Sequence, residues 1–328
     1  MKFRMNLRIC QICNIKYPIL LGPMIRISKA PLVAAFSQAG GLGCLASSGM
    51  SEEEFREQIY LIRAQTDSPF AVNVPWADPS AEEILRWSIN ENVDIVISSA
   101  GFSEKGLTRI KSTDTKILQV VANVAQALKA EAFGVDGVIA KGFESGGLNA
   151  SNSVATLPLV PQVVDAVSIP VIAAGGIGDG RGLAAALALG AEGVLMGTRF
   201  LVTHECPVSH NYKEAIIGAA DTDTASLDLP AFSMRFLKTG KVMELKDSLG
   251  CEESIWKLVS DVGKGANVER ELLGAGQIAG LVKTSASVSE IIQEVIIGFE
   301  RTVRRLQTVI SVLPSGEYSP PQTGDDLN

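Results

Sequence analysis

"IPVIAAGGIGDGRGLAAALALGAEGVLMGTRF", from Ile169 to Phe200, carries two strand-like runs separated by a helix-like one. "IPVIAA" (169–174) and "EGVLMG" (192–197) are almost continuously apolar, the pattern of strands buried on both faces of a parallel sheet. "GRGLAAALALG" between them has helical spacing, and a glycine-bearing loop follows each strand. The same strand-then-helix unit recurs upstream in "YPILLG" (17–22), "GLGCLA" (41–46), "PFAVNV" (69–74), "VDIVIS" (93–98), "KILQVV" (116–121) and "VDGVIA" (135–140). "SEEEFREQIYLIRAQ", with Ser51 as N-cap and acids in its first turn, is one of the intervening helices; "SAEEILRWSINE", "ANVAQALKAEAFG" and "LPLVPQVVDAV" are others. Eight such units predict an α/β fold of the (β/α)8 barrel type. A doubly wound open sheet is the rival. It is disfavoured because no strand–helix boundary carries G-x-G-x-x-G with an acid at dinucleotide spacing.

After Phe200 the strand pattern ends. "NYKEAIIGAADT", "EESIWKLVSDVG" and "VSEIIQEVIIGFERTVRRLQ" read as helices. The expected organisation is a barrel over residues 1–212 and a smaller helical insert over 213–285 that covers the barrel mouth. A C-terminal helix over 286–312 should pack back on the barrel, followed by a Pro-, Gly- and acid-rich disordered tail over 313–328.

Hydrophobic residues at 46% and charged residues at 20% suit a soluble enzyme with a large core. A net charge of -7 without a basic block argues against nucleic acid. No apolar run is long enough to span a membrane and no secretory signal opens the chain, so a cytoplasmic protein is expected. Five scattered cysteines are too few for a disulfide framework. Cys10 and Cys13 form a lone C-x-x-C without the second pair of a thiolate metal site, and no metal is expected. The pair reads as the entry to the first strand; a redox role would require a helix beginning just after Cys10.

Barrel enzymes place their chemistry on the loops after the strand C-termini. Those loops hold Gly22, Pro23 and Met24; Asn73, before Pro75 and Trp76; Ser98 to Gly101; Asn123; "KGFESGGLNASNSV" (141–154); "AAGGIGDGRG" (173–182); and "MGTRF" (196–200). The last two strands usually build a phosphate site from backbone N–H groups and a helix N-terminus. Gly175 and Gly176 would let the backbone approach a phosphate, and Gly197 and Thr198 add an N–H and a hydroxyl. One phosphate site on a barrel suggests a mononucleotide such as FMN. Gly146 and Gly147 would make room for its ring or ribityl chain, Asn73 would meet a polar ring edge, and Gly22–Met24 would form an apolar floor.

"YPILLGPM", "AGGLGCLASSG", "PFAVNV", "GFESGG", "IPVIAAGGIGDGRGLAAALALGAEGVLMGTRF" and "GAGQIAGLVK" together resemble the nitronate monooxygenase (2-nitropropane dioxygenase) family and its near relative, the FMN-dependent enoyl-acyl carrier protein reductase II. The resemblance covers roughly residues 10–300. It implies a barrel with a small helical insert, non-covalent FMN and no catalytic metal. Carried over by position, it implies FMN contacts from Gly22, Pro23, Met24, Asn73, Gly101, Glu144, Gly146, Gly147, Gly175, Gly176, Gly197 and Thr198, with Gly276 and Gln277 approaching the ring.

Leu148 departs from that pattern. Relatives read Glu-Ala-Gly-Gly-His or a close variant, and the histidine serves beside the flavin as base or proton donor; leucine transfers no proton. The two histidines present, His204 and His210, read as caps or surface residues. Lys141, Ser145 and Asn149 are the nearest replacements. The resemblance implies oxidation of alkyl nitronates with oxygen. The alternatives are an NADH- or NADPH-dependent enoyl-thioester or quinone reductase, and a flavin-binding protein with lost or altered catalysis. A small molecule or acyl thioester is the expected partner, with a homodimer left open.

Overall fold

The computed structural model describes residues 5–229, 232–247 and 272–311. In chain order the strands are β1 (Ile19–Leu21), β2 (Gly43–Ala46), β3 (Phe70–Pro75), β4 (Ile95–Ser99), β5 (Lys116–Val121), β6 (Gly137–Lys141), β7 (Gly147–Ala150), β8 (Val171–Ala174), β9 (Gly193–Met196), β10 (Thr224–Asp228) and β11 (Phe232–Leu237). Eight of them form one parallel sheet in the order β1-β9-β8-β6-β5-β4-β3-β2. The ring closes between its two ends: Leu21 N–H donates to Leu42 O (2.9 Å) and Leu42 N–H to Ile19 O (3.0 Å). The sheet is therefore a (β/α)8 barrel, not an open doubly wound sheet.

Alternation along each strand explains the unbroken apolar runs. Leu20, Cys44, Ala71, Ile97, Leu118, Ile139 and Ile172 pack together inside the barrel. Their neighbours Leu21, Leu45, Val72, Val96, Val138 and Ala173 face the surrounding helices. Both faces exclude water, so neither parity of the strand tolerates polar residues until its C-terminal end.

Cys10 and Cys13 differ from expectation. A short helix, Arg8–Ile12, carries Cys10 and ends at Cys13, and with Ile9 these residues join the interior cluster. Burial, with Cys10 as the next contributor, pushes the Cys13 thiol up to about 12. The helix also begins before Cys10 rather than after it. The buried pair fills space, with the Cys13 thiol held protonated.

The segment after the barrel was expected to be wholly helical; its described part is not. β10, β11 and β7 form a three-stranded antiparallel sheet in that order, pairing Arg235 with Gly147, Met234 with Leu148 and Leu227 with Met234. "TASLD" and "FSMRFL" alternate polar and apolar residues, a period of two that buries one face only. That face holds Leu148, Ala225, Leu227, Met234 and Phe236, packed with Leu272 and with Val242 of the helix Gly240–Asp247. The helix expected in "NYKEAIIGAADT" is present as His210–Gly218. "EESIWKLVSDVG" and the tail lie outside the described residues.

The long helix Val288–Ser311 packs on the barrel helix Gly180–Ala188. A Cβ at Gly180 would collide with the backbone of Val295, Gly298 and Phe299. Gly180→Ala should therefore separate the two helices and cost about 1–3 kcal/mol, read as a lower urea midpoint.

Candidate functional site

The inward parity of the barrel strands sets the floor of the mouth. Continuing each interior series by two residues leads from Leu20 to Gly22, from Ala71 to Asn73, from Ile97 to Ser99 and from Ile139 to Lys141. Asn73 is buried, and its Nδ2 donates to Ile97 O and Ser99 Oγ, each at 2.8 Å. Its donors are thus used within the chain, leaving the Oδ1 acceptor for a ligand. Beside it, Ser98 Oγ donates to Gln119 Oε1 (2.5 Å) and accepts from Trp76 Nε1 (2.8 Å). A Cβ on Gly101 would lie 2.9 Å from the Trp76 Cβ, so this glycine seats the tryptophan. Gln119 was not anticipated, although a glutamine inside "KILQVV" was its visible signal.

The loop after β6 is held from two sides. Both Glu144 carboxylate oxygens accept from Thr156 N–H (2.9 and 3.0 Å), and Thr156 Oγ1 lies 2.9 Å from Oε2. Thr156 opens the helix Thr156–Ala166, whose N-cap Ala155 has no capping side chain, so Glu144 satisfies that end from a distance in sequence. Glu144 O accepts from Gln277 N–H (2.9 Å), and Gly276 N–H donates to Thr198 Oγ1 (2.9 Å). A Cβ at Gly146 would lie 2.8 Å from Ala275 C and Gly276 N. Gly146 is therefore filled by the chain's own 275–276 backbone, and the Gln277 side chain is exposed. Gly147 differs: its φ is +67°, and a Cβ there would meet nothing within 4 Å.

Gly175 (φ +96°) and Gly176 (φ +67°) adopt backbone that favours glycine. No described residue accepts the backbone N–H of Gly176 or Thr198, and the Thr198 hydroxyl, an acceptor toward Gly276, keeps its proton. The helix N-terminus expected to assist is already capped: Asp179 accepts from Arg181 N–H (2.8 Å) and Gly182 N–H (3.2 Å). An anion placed here would have only the two loops to bind it. Gly197 would place a Cβ 3.7 Å from Met24 Sδ, which keeps the floor flat.

Leu148 and Lys141 part company at β7. The Leu148 side chain packs into the insert's apolar cluster. Its carbonyl accepts from Lys141 Nζ at 2.6 Å. Burial lowers the Lys141 pKa to about 8, and no carboxylate among the described residues pairs with it. Asn149 is buried with Nδ2 donating to Ser145 O (2.9 Å) and Gly147 O (3.2 Å), and its Oδ1 lacks a donor. Ser145 Oγ lies against Gly175, 2.7 Å from where its Cβ would stand. Lys141, Ser145 and Asn149 thus share one neighbourhood, whereas His204 and His210 are exposed. Among the described residues no cluster of His, Cys, Asp and Glu could hold a metal, and no helix is long and apolar enough to cross a membrane.

The profile of the family described as nitronate monooxygenase matches residues 6–298. The chain belongs to the nitronate monooxygenase family. It is 37% identical over 240 residues to the (3aS,4S,5R,7aS)-5-hydroxy-7a-methyl-1-oxo-octahydro-1H-indene-4-carboxyl-CoA dehydrogenase of Rhodococcus jostii, covering 73% of this chain and 67% of that one. A probable nitronate monooxygenase of Staphylococcus saprophyticus is 34% identical over 266 residues, 67% of this chain and 75% of that one. FabK from Thermotoga maritima superposes with a TM-score of 0.88 at 37% identity, covering 93% of this chain and 99% of that chain. Nitroalkane oxidase from Streptomyces ansochromogenes shares the fold, with a TM-score of 0.80 at 23% identity over 91% of this chain and 99% of that one. The chain is an oxidoreductase of this family.

Two predictions follow from the split at β7. Lys141 has a folded pKa below its unfolded value of ~10.4, so its ammonium destabilises the fold below about pH 8 and the penalty fades as pH rises. Lys141→Met should gain about 1–3 kcal/mol in urea unfolding at pH 7, and the gain should shrink between pH 8 and 10. Leu148→His would put an imidazole among apolar side chains. It should lower stability by about 1–2 kcal/mol in the same assay without creating oxygen uptake on neutral nitroalkanes.

Proposed function

We propose that this chain is an FMN-dependent reductase of enoyl thioesters that draws its electrons from NADH or NADPH. The observation that carries the reading is Lys141: inward-facing at the end of β6, without an ion-pair partner among the described residues, and held 2.6 Å from the carbonyl of Leu148. With a pKa of about 8 it is mainly an ammonium at neutral pH. It is suited to deliver a proton rather than to remove one from a neutral carbon acid. A reduction ends in protonation at carbon, whereas oxidation of a neutral nitroalkane begins with loss of a proton, and Leu148 cannot take it. The likeness to FabK from Thermotoga maritima over 99% of that chain and to a CoA-thioester dehydrogenase of Rhodococcus jostii supports the same substrate class.

The mouth fits FMN on its own geometry. The left-handed Gly175–Gly176 pair, the uncommitted N–H groups of Gly176 and Thr198 and the Thr198 hydroxyl proton are a phosphate cradle. Open space at Gly147 and the side-chain-free floor of Gly22 and Gly197 beside Met24 suit a flat ring, with Asn73 Oδ1 as an acceptor at its edge. FMN, when bound, supplies hydride transfer to the substrate. Lys141 Nζ then hands its proton to the neighbouring carbon and is reprotonated from solvent. Its bond to Leu148 O orients the ammonium while the site is empty of substrate. Glu144, tied to Thr156 and Gln277, and Gly146, pressed on Gly276, hold the loop from behind.

Oxidation of an alkyl nitronate is the second reading, favoured by the family match and by a simple fact: a nitronate is already an anion and needs no base. The two are separated by the visible spectrum of the FMN-loaded protein under nitrogen. Bleaching by NADH or NADPH followed by reoxidation with crotonyl-pantetheine is expected. Oxygen uptake with propyl-2-nitronate and no bleaching would overturn the reductase reading. In the reductase assay Lys141→Met should lower kcat by about 10²–10⁴ while bleaching persists, and the fall in rate above about pH 8 should disappear with the lysine.

A further inference from the structure

The insert contains a cation that the fold does not explain. Two arginines are buried among the described residues, Arg199 at 8% exposure and Arg235 at 7%. Arg199 has a carboxylate, Glu294 Oε2 at 3.2 Å, and donates to Thr284 O at 3.3 Å. Arg235 has none. Its Nε donates to Phe143 O and its Nη1 to Thr224 Oγ1, both at a long 3.3 Å, and its guanidinium lies 5.6 Å from the centroid of the Phe143 ring. No carboxylate among the described residues lies within ion-pair distance of it. Burial presses its pKa down, and Asp228 and Glu144 only oppose that from further away. A buried cation without a counter-charge is costly, and a leucine would serve packing better.

Position supplies the reason for keeping it. In the β11–β7 register Arg235 stands directly opposite Gly147, so the two occupy the same face of the insert sheet. Leu148 and the apolar cluster occupy the other face. Gly147 is the residue whose missing side chain leaves open space, and Phe143, under the guanidinium, is 38% exposed at the rim. Arg235 therefore borders the entrance to the mouth, above the floor where Lys141 sits. A guanidinium fork with unused N–H donors, at a rim, is built for an oxyanion.

We propose that Arg235 is the specificity-determining residue that receives an anionic group of the acyl thioester, either a carboxylate on the acyl chain or a phosphate of its carrier. The choice of a thioester rests on the reductase reading; the anion does not. The test is calorimetric binding of crotonyl-CoA, crotonyl-pantetheine and glutaconyl-pantetheine to the FMN-loaded protein. The unmodified protein should bind at least one anionic ligand about 10- to 100-fold more tightly than neutral crotonyl-pantetheine. Arg235→Gln should erase that preference and leave crotonyl-pantetheine unchanged, while Arg235→Lys should keep part of it. Preference for the CoA ester assigns the anion to the carrier phosphate; preference for the glutaconyl ester assigns it to the acyl carboxylate. Equal affinity for all three ligands in the unmodified protein overturns the proposal, and that result does not depend on any variant folding. Uniform weakening of all three by Arg235→Gln overturns it in favour of a strut between insert and loop. Slower bleaching by NADH or NADPH with unchanged thioester binding also overturns it, by giving the anion to the nicotinamide reductant. If thioesters bind with the expected preference but none reoxidises the bleached flavin, the reductase reading fails and the anion site stands.

Discussion

Everything above the barrel floor depends on two backbones meeting at Gly146 and Gly276. A Cβ on Gly146 would stand 2.8 Å from Gly276 N, and one on Gly276 would stand 2.8 Å from Glu144 O. Neither position admits a side chain, and the contact is locked by Gln277 N–H on Glu144 O and Gly276 N–H on Thr198 Oγ1. It joins three distant pieces of chain: the loop after β6, the turn after β9 and the segment that returns from the insert. Glu144 extends the lock to a fourth piece through Thr156. Its carboxylate is thereby spent on structure, which removes it from the acids and bases available to chemistry.

That lock decides which way β7 faces. Leaving Gly146 with Gly147 in left-handed backbone, the chain enters the insert sheet with Leu148 turned to the apolar side and Gly147 and Asn149 to the other. Leu148 is thus a packing residue of the insert, sharing a cluster with Met234 and Leu227. What the mouth retains of Leu148 is its carbonyl, and the carbonyl takes Lys141. One hydrogen bond thus links the backbone of a packing residue to the buried amine at the end of β6.

The barrel was legible because each of its strands is buried on both faces, so "VDIVIS" or "IPVIAA" announces itself without neighbours. The insert was not, because its strands show only a half-buried alternation over five or six residues, and β7 is four residues sitting inside a glycine loop. No local signal pairs Gly147 with Arg235, which lies 88 positions later in the register and is brought there by tertiary contacts. Glycines were legible as places of close approach, but not what approaches: Gly147 faces open space, Gly175 is closed by Ser145, Gly142 and Thr156, Gly146 is closed by Gly276, and Gly101 is occupied by Trp76. The C-x-x-C was legible as bland yet misplaced, since a five-residue helix that plugs a barrel has too few turns to show a period.

The chain's net charge does not describe its mouth. The net value of -7 suggests an indifferent or cation-seeking protein, yet the acids near the mouth are consumed internally. Glu144 caps Thr156. Burial pushes the Asp78 carboxyl up, but hydrogen bonds from Ser48 and Ser80 hold it below its ordinary range. Asp179 caps its own helix and pairs with Arg181. The cations are not consumed: Lys141, Arg235 and Arg26 have no ion-pair partner among the described residues, and Arg26 sits in strained left-handed backbone (φ +62°) on the loop after β1. Hydrogen bonds from neutral donors occupy a carboxylate's acceptor positions without cancelling its charge, and the fields of Asp228 and Glu144 still reach Arg235. What distinguishes the mouth is which groups keep free donors: Glu144 and Asp179 are hydrogen-bonded or paired, whereas Lys141, Arg235 and Arg26 have no carboxylate partner among the described residues.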